Sequence, residues 1–339
     1  MNTNKNFFDE LDQDWGDLIA DVYTNAHSVK VRYTNNKGRK IIKYGEHNND
    51  LSLKGNLILD DDTKIIGEDA FVYCKNLVGN LIIPDSVEYI SPSAFENCSG
   101  FNGILKLSKN ITGILNRTFY GCSGFTGILT IPENVKYIDN SSFRNCKGFN
   151  ALKLPRNLEY IYNNVFENCI GFNNNLVIPE KVELILNKAF KGCSGFKSLT
   201  LPNKIYIIGE RSFEDCSGFK GTLNIPGSVT NISAESFKNC TGFSKLNLSD
   251  GIEFLERGCF YGCSGFKGDL VIPKSVWNIN SEVFYGCSGF DGELHLLCEG
   301  IKVGYHAFYG TNFKRIYVSK KAQLEKHWNY GCNAEIVYI

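Results

Sequence analysis

Hydrophobic positions recur in one order along most of the chain, as the stretch CSGFTGILTIPENVKYIDNSSFRNC at 122–146 shows. Each unit has three apolar clusters: a Leu-x-Ile pair that Pro often follows, a Val-x-x-Ile pair, and a Phe-x-x-Cys-x-Gly-Phe segment. Alternation in the first cluster predicts a short strand with two inward side chains, and the Pro after it ends the ladder. The third cluster predicts a single helical or 3₁₀ turn in which Gly permits the chain reversal.

The phenylalanine three positions before the recurring cysteine sets the period, which is 23 or 24 residues in every interval. The phenylalanines are Phe71, Phe95, Phe119, Phe143, Phe166, Phe190, Phe213, Phe237, Phe260, Phe284 and Phe308. The cysteines are Cys74, Cys98, Cys122, Cys146, Cys169, Cys193, Cys216, Cys240, Cys263 and Cys287, with Thr311 in the eleventh position. A period this constant predicts a solenoid, in which stacked coils bury positions that one coil cannot bury alone.

Stacking predicts a continuous aromatic spine from the phenylalanines and a column of buried, inert thiols from the cysteines. Equivalent Cβ atoms of stacked coils lie nearly parallel at about 4.8 Å. Disulfides need Cβ atoms turned toward each other, and zinc usually needs two close pairs of ligands. We therefore expect no metal and no cofactor. Cys259, Cys298 and Cys332 lie outside the column, and a Cys298–Cys332 pair stays open in an oxidising compartment.

The repeat C-x-x-F-x-x-x-L-x-I-P-x-x-V-x-x-I-x-x-x-x-F-x-x-C resembles the leucine-rich repeat variant of BspA-like surface antigens. The resemblance covers roughly residues 51–339, because FKRIYVSKKAQLEKHW followed by AEIVYI is similar to the strand–helix–strand ending of that family. It implies an α/β leucine-rich-repeat solenoid: curved, right-handed and strand-rich, with a parallel sheet and short helical turns. Proteins of this family are often displayed on cell surfaces, where they serve in adhesion or protein binding.

Three regions follow from the pattern: an N-terminal cap at 1–50, eleven repeats at 51–312, and a C-terminal cap at 313–339. Caps are expected because the end coils would otherwise expose their core. The first cap is predicted as a helix with the apolar stripe Phe8, Leu11, Trp15, Leu18, Ile19 and Val22, then a hairpin of VKVRY and KIIKY. An independent partner-binding module is the alternative for this region. In the second cap, 320–327 suits a short helix and 334–339 a strand.

Composition excludes several classes of function. Thirty-six basic and 36 acidic side chains give a net charge of zero, so nothing global attracts nucleic acid or an anionic membrane. No window reaches eighteen apolar residues, as a membrane span requires, and the first residues show no signal peptide. GxGxxG, P-loop, HExxH and GxSxG motifs are missing, and we expect neither catalytic residues nor an enzyme. The sequence thus predicts a cytoplasmic protein, whereas the family resemblance implies a surface or secreted one.

Exposed positions repeat as well, and three columns supply the candidate partner-binding residues. The outward strand residue is polar in mid-chain: Lys106, Thr130, Lys153, Thr200, Asn224 and Asn247. The residue before the Ile of Val-x-x-Ile is mostly apolar or aromatic: Tyr89, Tyr137, Tyr160, Leu184, Ile207 and Phe254. The residue after the spine phenylalanine is tyrosine in three successive coils: Tyr261, Tyr285 and Tyr309.

The polar column suits hydrogen-bonding recognition, and the other two offer apolar contact. Contiguous exposed apolar residues mark interfaces, and tyrosine is enriched in binding hot spots. Half-burial of the second column against the neighbouring turn is the competing interpretation, and self-stacking competes with partner contact for the tyrosines. We hypothesise a non-enzymatic solenoid that binds a protein or glycoprotein, such as a surface antigen or adhesin. An intracellular scaffold or leaderless effector is the alternative.

Overall fold

The computed structural model describes residues 19–25, 28–34, 40–42, 45 and 47–339. The first strands of this part are β1 (Ile19–Asn25), β2 (Ser28–Thr34), β3 (Lys40–Ile42), β4 (Gly55–Leu59), β5 (Thr63–Ile66), β6 (Leu77–Val78), β7 (Leu81–Ile82), β8 (Tyr89–Ile90), β9 (Leu105–Lys106) and β10 (Gly113–Ile114). Next come β11 (Ile128–Thr130), β12 (Tyr137–Ile138), β13 (Ala151–Lys153), β14 (Tyr160–Ile161), β15 (Leu176–Val177), β16 (Leu184–Ile185), β17 (Leu199–Thr200), β18 (Ile207–Ile208), β19 (Gly221–Ile225) and β20 (Asn231–Ile232). The last are β21 (Phe243–Leu248), β22 (Phe254–Leu255), β23 (Leu270–Ile272), β24 (Asn278–Ile279), β25 (Glu293–Leu296), β26 (Lys302–Val303), β27 (Arg315–Val318), β28 (Gln323–Leu324) and β29 (Glu335–Tyr338).

The strands stack in parallel, which confirms the leucine-rich-repeat solenoid. The Val-x-x-Ile strands form a ten-stranded sheet in the order β10-β12-β14-β16-β18-β20-β22-β24-β26-β28, preceded by the sheet β3-β5-β8. The Leu-x-Ile strands form shorter sheets: β1-β2-β4-β6, β7-β9, β11-β13, β15-β17, β19-β21 and β23-β25-β27-β29. All pairings are parallel except that of β1 with β2 in the described part of the chain. Equivalent residues of neighbouring coils therefore lie side by side.

The predicted aromatic spine is confirmed. All eleven phenylalanines from Phe71 to Phe308 are fully buried. Successive ring centroids lie 5.2–5.7 Å apart with nearly parallel planes. His47 stacks on the first ring at 5.5 Å, and Trp328 meets the last one edge-on at 6.0 Å. The spine thus has an aromatic neighbour at each end.

A second aromatic stack, formed by the phenylalanine of each Cys-x-Gly-Phe and, in the last coil, by Phe313 of Thr-Asn-Phe, runs beside the spine. It comprises Phe101, Phe125, Phe149, Phe172, Phe196, Phe219, Phe243, Phe266, Phe290 and Phe313. Their successive centroids are 4.8–6.5 Å apart. In several coils its ring meets the spine ring edge to face at 6.0–6.3 Å. Edge-to-face pairs are favourable beyond their buried area, so the two stacks lock together.

The predicted helical turns are wrong, because the Phe-x-x-Cys segments are overlapping β-turns and the described chain contains no helix. In one coil, the N–H groups of Ser93, Phe95 and Asn97 donate to carbonyls of the next coil. Those of Glu96 and Cys98 donate three residues back instead. The residue before the column cysteine or Thr311 has positive φ and is Gly, Asn or Asp in ten of eleven coils. These residue types adopt that conformation most readily, and it interrupts a right-handed helix.

The glycine of Cys-x-Gly-Phe serves close packing, which corrects the predicted role in reversing the chain. Gly195 does not have positive φ. A Cβ at Gly195 would overlap the carbonyl oxygen of Phe172 in the preceding coil. Equivalent overlaps with backbone oxygens occur at Gly100, Gly124, Gly148, Gly171, Gly218, Gly242, Gly265 and Gly289. Any side chain at these positions would push neighbouring coils apart.

The cysteine column is buried, as predicted, and each thiol has a specific acceptor. The S–H of Cys98 donates to the carbonyl of Phe71 in the preceding coil at 2.8 Å. The same bond recurs at 3.0–3.1 Å in every later coil up to Cys287. Burial raises the pKa of every column thiol, to about 12 at Cys74 and Cys263. Cys298, half-buried, and Cys332, buried, are both free thiols.

Both ends differ from the predicted caps. VKVRY lies in β2, which pairs antiparallel with β1 and parallel with β4, while KII forms β3 and pairs with β5. The predicted hairpin is therefore wrong, because each segment extends a sheet edge of the first coil. Ile19 and Val22 belong to β1, not to a helix, and the rest of the predicted helix lies outside the described residues.

At the other end, 320–327 is not a helix. Gln323 and Glu325 donate their N–H groups to Ile301 and Val303, so β28 continues the ten-stranded sheet. An open sheet edge offers each of these groups a partner, whereas a short helix leaves its first N–H groups unpaired. The strand predicted at 334–339 is confirmed as β29. The region boundaries at 50/51 and 312/313 stay predictions.

Replacing Gly195 with Ala should lower the free energy of unfolding by about 3 kcal/mol, because the new methyl group meets backbone that cannot move without separating two coils. Urea denaturation measures the change. Gly300→Ala is the matched control: a Cβ there meets nothing within 4 Å, so we expect a change within about 0.5 kcal/mol. Equal effects of the two substitutions would contradict the close-packing role.

The ten column thiols should react with a thiol reagent only after unfolding, because burial excludes the reagent and disfavours the thiolate. Timed reaction of native and urea-unfolded protein under reducing conditions, followed by mass spectrometry, measures this. The half-buried Cys298 serves as the internal control and should react first in the native protein. Rapid native reaction at several column positions would contradict the buried ladder.

Candidate binding surfaces

The polar column faces solvent along the Leu-x-Ile strands. Lys106, Thr130, Lys153, Thr200, Asn224 and Asn247 are all exposed. Neighbouring members are in register, as Thr130 with Lys153 and Asn224 with Asn247. The amide of Asn247 donates to the side-chain oxygen of Asn224 at 2.7 Å, so these two groups partly satisfy each other. Solvent exposure at these positions follows from the strand period of two.

The mostly apolar or aromatic residues before the Ile of Val-x-x-Ile are called the aromatic column here. This column lies on the outer surface of the sheets built from Val-x-x-Ile strands. Tyr137 is paired with Tyr160, Tyr160 with Leu184, and Leu184 with Ile207. These residues, Tyr89 and Phe254 are all half-buried. Of the two interpretations that the sequence left open, exposure and half-burial, the structure shows half-burial. This column therefore offers side-chain surface that is apolar and still accessible.

Gly113 shows how a ring of this column is seated. A Cβ at Gly113 would overlap Cζ of Tyr137, so the ring of Tyr137 lies over this glycine. Burial, followed by the charge of Asp139, raises the pKa of Tyr137. Burial, followed by the neighbouring Tyr137, likewise raises the pKa of Tyr89.

Two large aromatic side chains beside this column were missed by the sequence analysis. Tyr206 is 47% exposed and Trp277 is 40% exposed. Each directly precedes a strand of the ten-stranded sheet. Trp277 meets Phe254 edge-on at 4.5 Å, and the ammonium of Lys302 lies 5.7 Å from its ring centroid. The available signal was a large ring at a position that Glu, Thr or Lys fills in other coils.

The tyrosines after the spine form a self-stacked ladder near the C-terminal end. Tyr261 and Tyr285 lie 4.7 Å apart with planes within 2°, and Tyr285 and Tyr309 lie 4.5 Å apart. The stack continues to Tyr330 at 5.8 Å. Burial and the neighbouring phenols raise the pKa of Tyr285. Because the ring faces cover one another, the ladder presents mainly ring edges and hydroxyl groups.

In earlier coils the residue after the spine phenylalanine is mainly charged, with Tyr120 as an exception, and the charged side chains form ion pairs. Arg144 binds Glu167 at 3.0 Å, and Lys191 binds Glu214 at 2.6 Å. Both carboxylates are buried, so these pairs compensate charges that would otherwise be unfavourable. The turn surface is therefore a structural column whose charges are already neutralised within the chain.

Two findings concern other classes of site. Among the described residues, no group of three or more His, Cys, Asp or Glu is arranged to hold a metal ion. Within the same part of the chain, no helix is long and apolar enough to cross a membrane.

A family model for the BspA type leucine-rich repeat region, comprising six copies of the repeat, matches residues 40–173, 113–222, 172–291 and 221–335. The chain belongs to this family. The matches together span nearly all of the stacked coils described above. A search of curated proteins finds no match to the chain.

Solved leucine-rich repeat structures resemble the fold at low sequence identity. A leucine-rich repeat protein from Eubacterium ventriosum matches with a TM-score of 0.52 and 15% identity, over 94% of this chain and 95% of that one. One from Bacteroides ovatus gives 0.49 and 20% identity over 95% and 98%. The pneumococcal vaccine antigen PcpA gives 0.49 and 14% identity over 96% and 98%. At these identities, the first likeness indicates a shared fold and nothing more specific.

Tyr285→Ala should lower the free energy of unfolding by about 1–3 kcal/mol, because it removes a half-buried ring stacked on both sides. Urea denaturation again provides the measurement. Tyr206→Ala is the control, since its ring makes no stacking contact within the described chain, and it should change stability by less than about 0.5 kcal/mol. If Tyr285→Ala is no more destabilising than the control, the ladder contributes nothing to the fold.

Proposed function

We propose that this solenoid is a non-enzymatic protein that binds a protein or glycoprotein partner across its ten-stranded sheet. The observation that carries the proposal is the in-register aromatic column of Tyr137, Tyr160, Leu184 and Ile207, bordered by exposed Tyr206 and Trp277. Rigid, half-buried aromatic side chains provide a large contact area and lose little side-chain entropy when a partner binds. A stack of coils holds them at fixed spacing, so the surface is organised before the partner arrives.

The cysteine column supports binding over catalysis. A cysteine nucleophile acts as its thiolate and needs access to a substrate. Here the ten column thiols are buried, donate to backbone carbonyls and have raised pKa values. The most abundant candidate nucleophiles of the chain are thus committed to packing.

A role as a surface antigen or adhesin is the finer form of the proposal, and the family resemblance supports it. Labelling of intact cells with an antibody against the protein tests it directly. Labelling before lysis is the expected result. Labelling only after lysis would contradict display on the surface and favour the intracellular scaffold or leaderless effector.

Tyr137→Ala and Tyr160→Ala should each weaken partner binding at least about tenfold, the size of effect that central aromatic residues produce at interfaces. The measurement is quantitative capture of proteins from extracts or host-cell surfaces by immobilised wild-type and variant protein. Lys153→Ala, on the polar column of the neighbouring sheet, is the control and should leave capture unchanged.

Thermal denaturation of each variant checks that the solenoid stays folded. Capture that survives both tyrosine substitutions would exclude the aromatic column as the binding surface. Capture lost with Lys153→Ala alone would instead assign binding to the polar column.

A further inference from the structure

The surface of the ten-stranded sheet carries an excess of negative charge. Between β12 and β24, the strand residues with one residue before and after each strand include five acids, Asp139, Glu159, Glu183, Glu253 and Glu256, and one base, Lys136. All five acidic side chains are exposed or half-buried. Glu159, Glu183 and Glu253 form no ion pair with any described residue. We call these five acids and the rings of Tyr137, Tyr160, Tyr206, Phe254 and Trp277 the acidic aromatic face.

Acids elsewhere on the solenoid are mostly compensated within the chain. On the turn surface, Glu167 and Glu235 each contact an arginine, at 3.0 and 2.9 Å. In the loops after the Leu-x-Ile strands, Asp85 binds Lys109 at 2.8 Å, and Glu299 binds Lys321 at 2.7 Å. What sets the acidic aromatic face apart is that the unpaired carboxylates of Glu159, Glu183 and Glu253 lie on the same sheet surface as the aromatic rings.

The carboxylates lie close to the rings. The negative charge of Glu183, with a smaller contribution from Glu159, raises the pKa of Tyr160. Asp139 acts on Tyr137 in the same sense, after burial. Glu256 accepts a hydrogen bond from Asn231, a member of the same residue column, at 3.3 Å. A cation at such a position gains two interactions: a charge-assisted hydrogen bond with the carboxylate and a cation–π contact with the face of the ring.

One cation already occupies such a position within the chain. The ammonium of Lys302 lies 5.7 Å from the ring centroid of Trp277, which in turn packs edge-on against Phe254. Lys302 is exposed and is the aligned neighbour of Asn278 in the next strand. At this end of the face, the chain supplies the cation itself. At Tyr160, Glu159 and Glu183, no lysine or arginine of the described chain forms an ion pair with either carboxylate.

We propose that the acidic aromatic face binds an arginine- or lysine-rich segment of the protein partner. This inference rests on the proposed function and adds the chemistry of the partner. Charge complementarity supports a cationic partner, because unpaired carboxylates lie beside half-buried aromatic rings on one accessible sheet surface. Guanidinium groups suit such a surface best, because they can pair with a carboxylate and stack on an aromatic ring at once.

The test uses a fluorescein-labelled peptide of alternating arginine and serine, with a peptide of alternating glutamate and serine as its counterpart. Fluorescence anisotropy with the full chain should show binding of the arginine peptide only, weakening as salt rises. Glu159→Gln with Glu183→Gln should weaken it roughly five- to tenfold, as expected for two exposed charge pairs. Tyr160→Leu should weaken it further, because it keeps the apolar volume and removes the aromatic face.

The matched control is Asp269→Asn with Asp291→Asn. Both residues are exposed beside the Leu-x-Ile strands, and each accepts a backbone N–H through Oδ1, an oxygen that asparagine retains. This double variant removes the same amount of charge as Glu159→Gln with Glu183→Gln and should leave peptide binding unchanged. No binding by the wild-type protein, or equal loss in the two double variants, would overturn the proposal.

Competition separates this inference from the function on which it rests. The arginine peptide should displace a partner captured through Tyr137 and Tyr160. If capture depends on these tyrosines but the peptide neither binds nor competes, the sheet binds a protein of different chemistry, and the cationic segment is excluded. If capture does not depend on them, the proposed binding surface itself is wrong.

Discussion

The backbone contact between spine phenylalanines and the next coil sets the geometry of this solenoid. Each spine N–H, from Phe71 to Phe308, donates to a carbonyl one coil further on at 2.7–3.1 Å. The spine carbonyl of each coil up to Phe260 accepts a thiol from the next coil. Both bonds fall within the buried interior, where an unpaired polar group is unfavourable. A shift of one residue would break them and turn the rings outward, so one register is strongly preferred.

The repeat period was sufficient to predict the parallel stack, the aromatic spine and the buried cysteines, because each depends on one residue type at a fixed position. The turn conformation was not predictable in the same way. The spacing of Phe-x-x-Cys is that of a helical turn. Its N–H groups nevertheless donate in part to carbonyls of the next coil, and the sequence of one coil does not reveal these acceptors. The role of the glycine in each Cys-x-Gly-Phe was equally unpredictable, because the contact that requires it is with a backbone oxygen more than twenty residues away. The end segments were misassigned because open sheet edges capture strands irrespective of local helical pattern.

The candidate binding surfaces were predictable as columns, but the burial of the aromatic column was not. Strand alternation places Lys153 and Asn247 in solvent, and they are exposed. The aromatic column depends on how far each ring reaches over its neighbour, as Tyr137 does over Gly113, and one residue's position cannot reveal that. Trp277 is not part of the predicted column, because that column contains the next residue, Asn278, and its equivalents in other coils. The same repetition that builds the core thus presents like side chains at regular intervals, and changes from coil to coil make the side chains of the surface differ along the stack. Acidic residues lie around the rings of the ten-stranded sheet, whereas ion-paired side chains and tyrosines occupy the position after the spine phenylalanine.

Hydrogen exchange of the backbone amides tests the register most directly. The spine amides of the interior coils, such as Phe143, Phe190 and Phe237, should exchange only through disruption of the stack and show similar, high protection. Amides of loop residues such as Asn203 should exchange rapidly. Rapid or widely different exchange among the spine amides of native protein would show that neighbouring coils are not held together by these bonds, and would contradict the account.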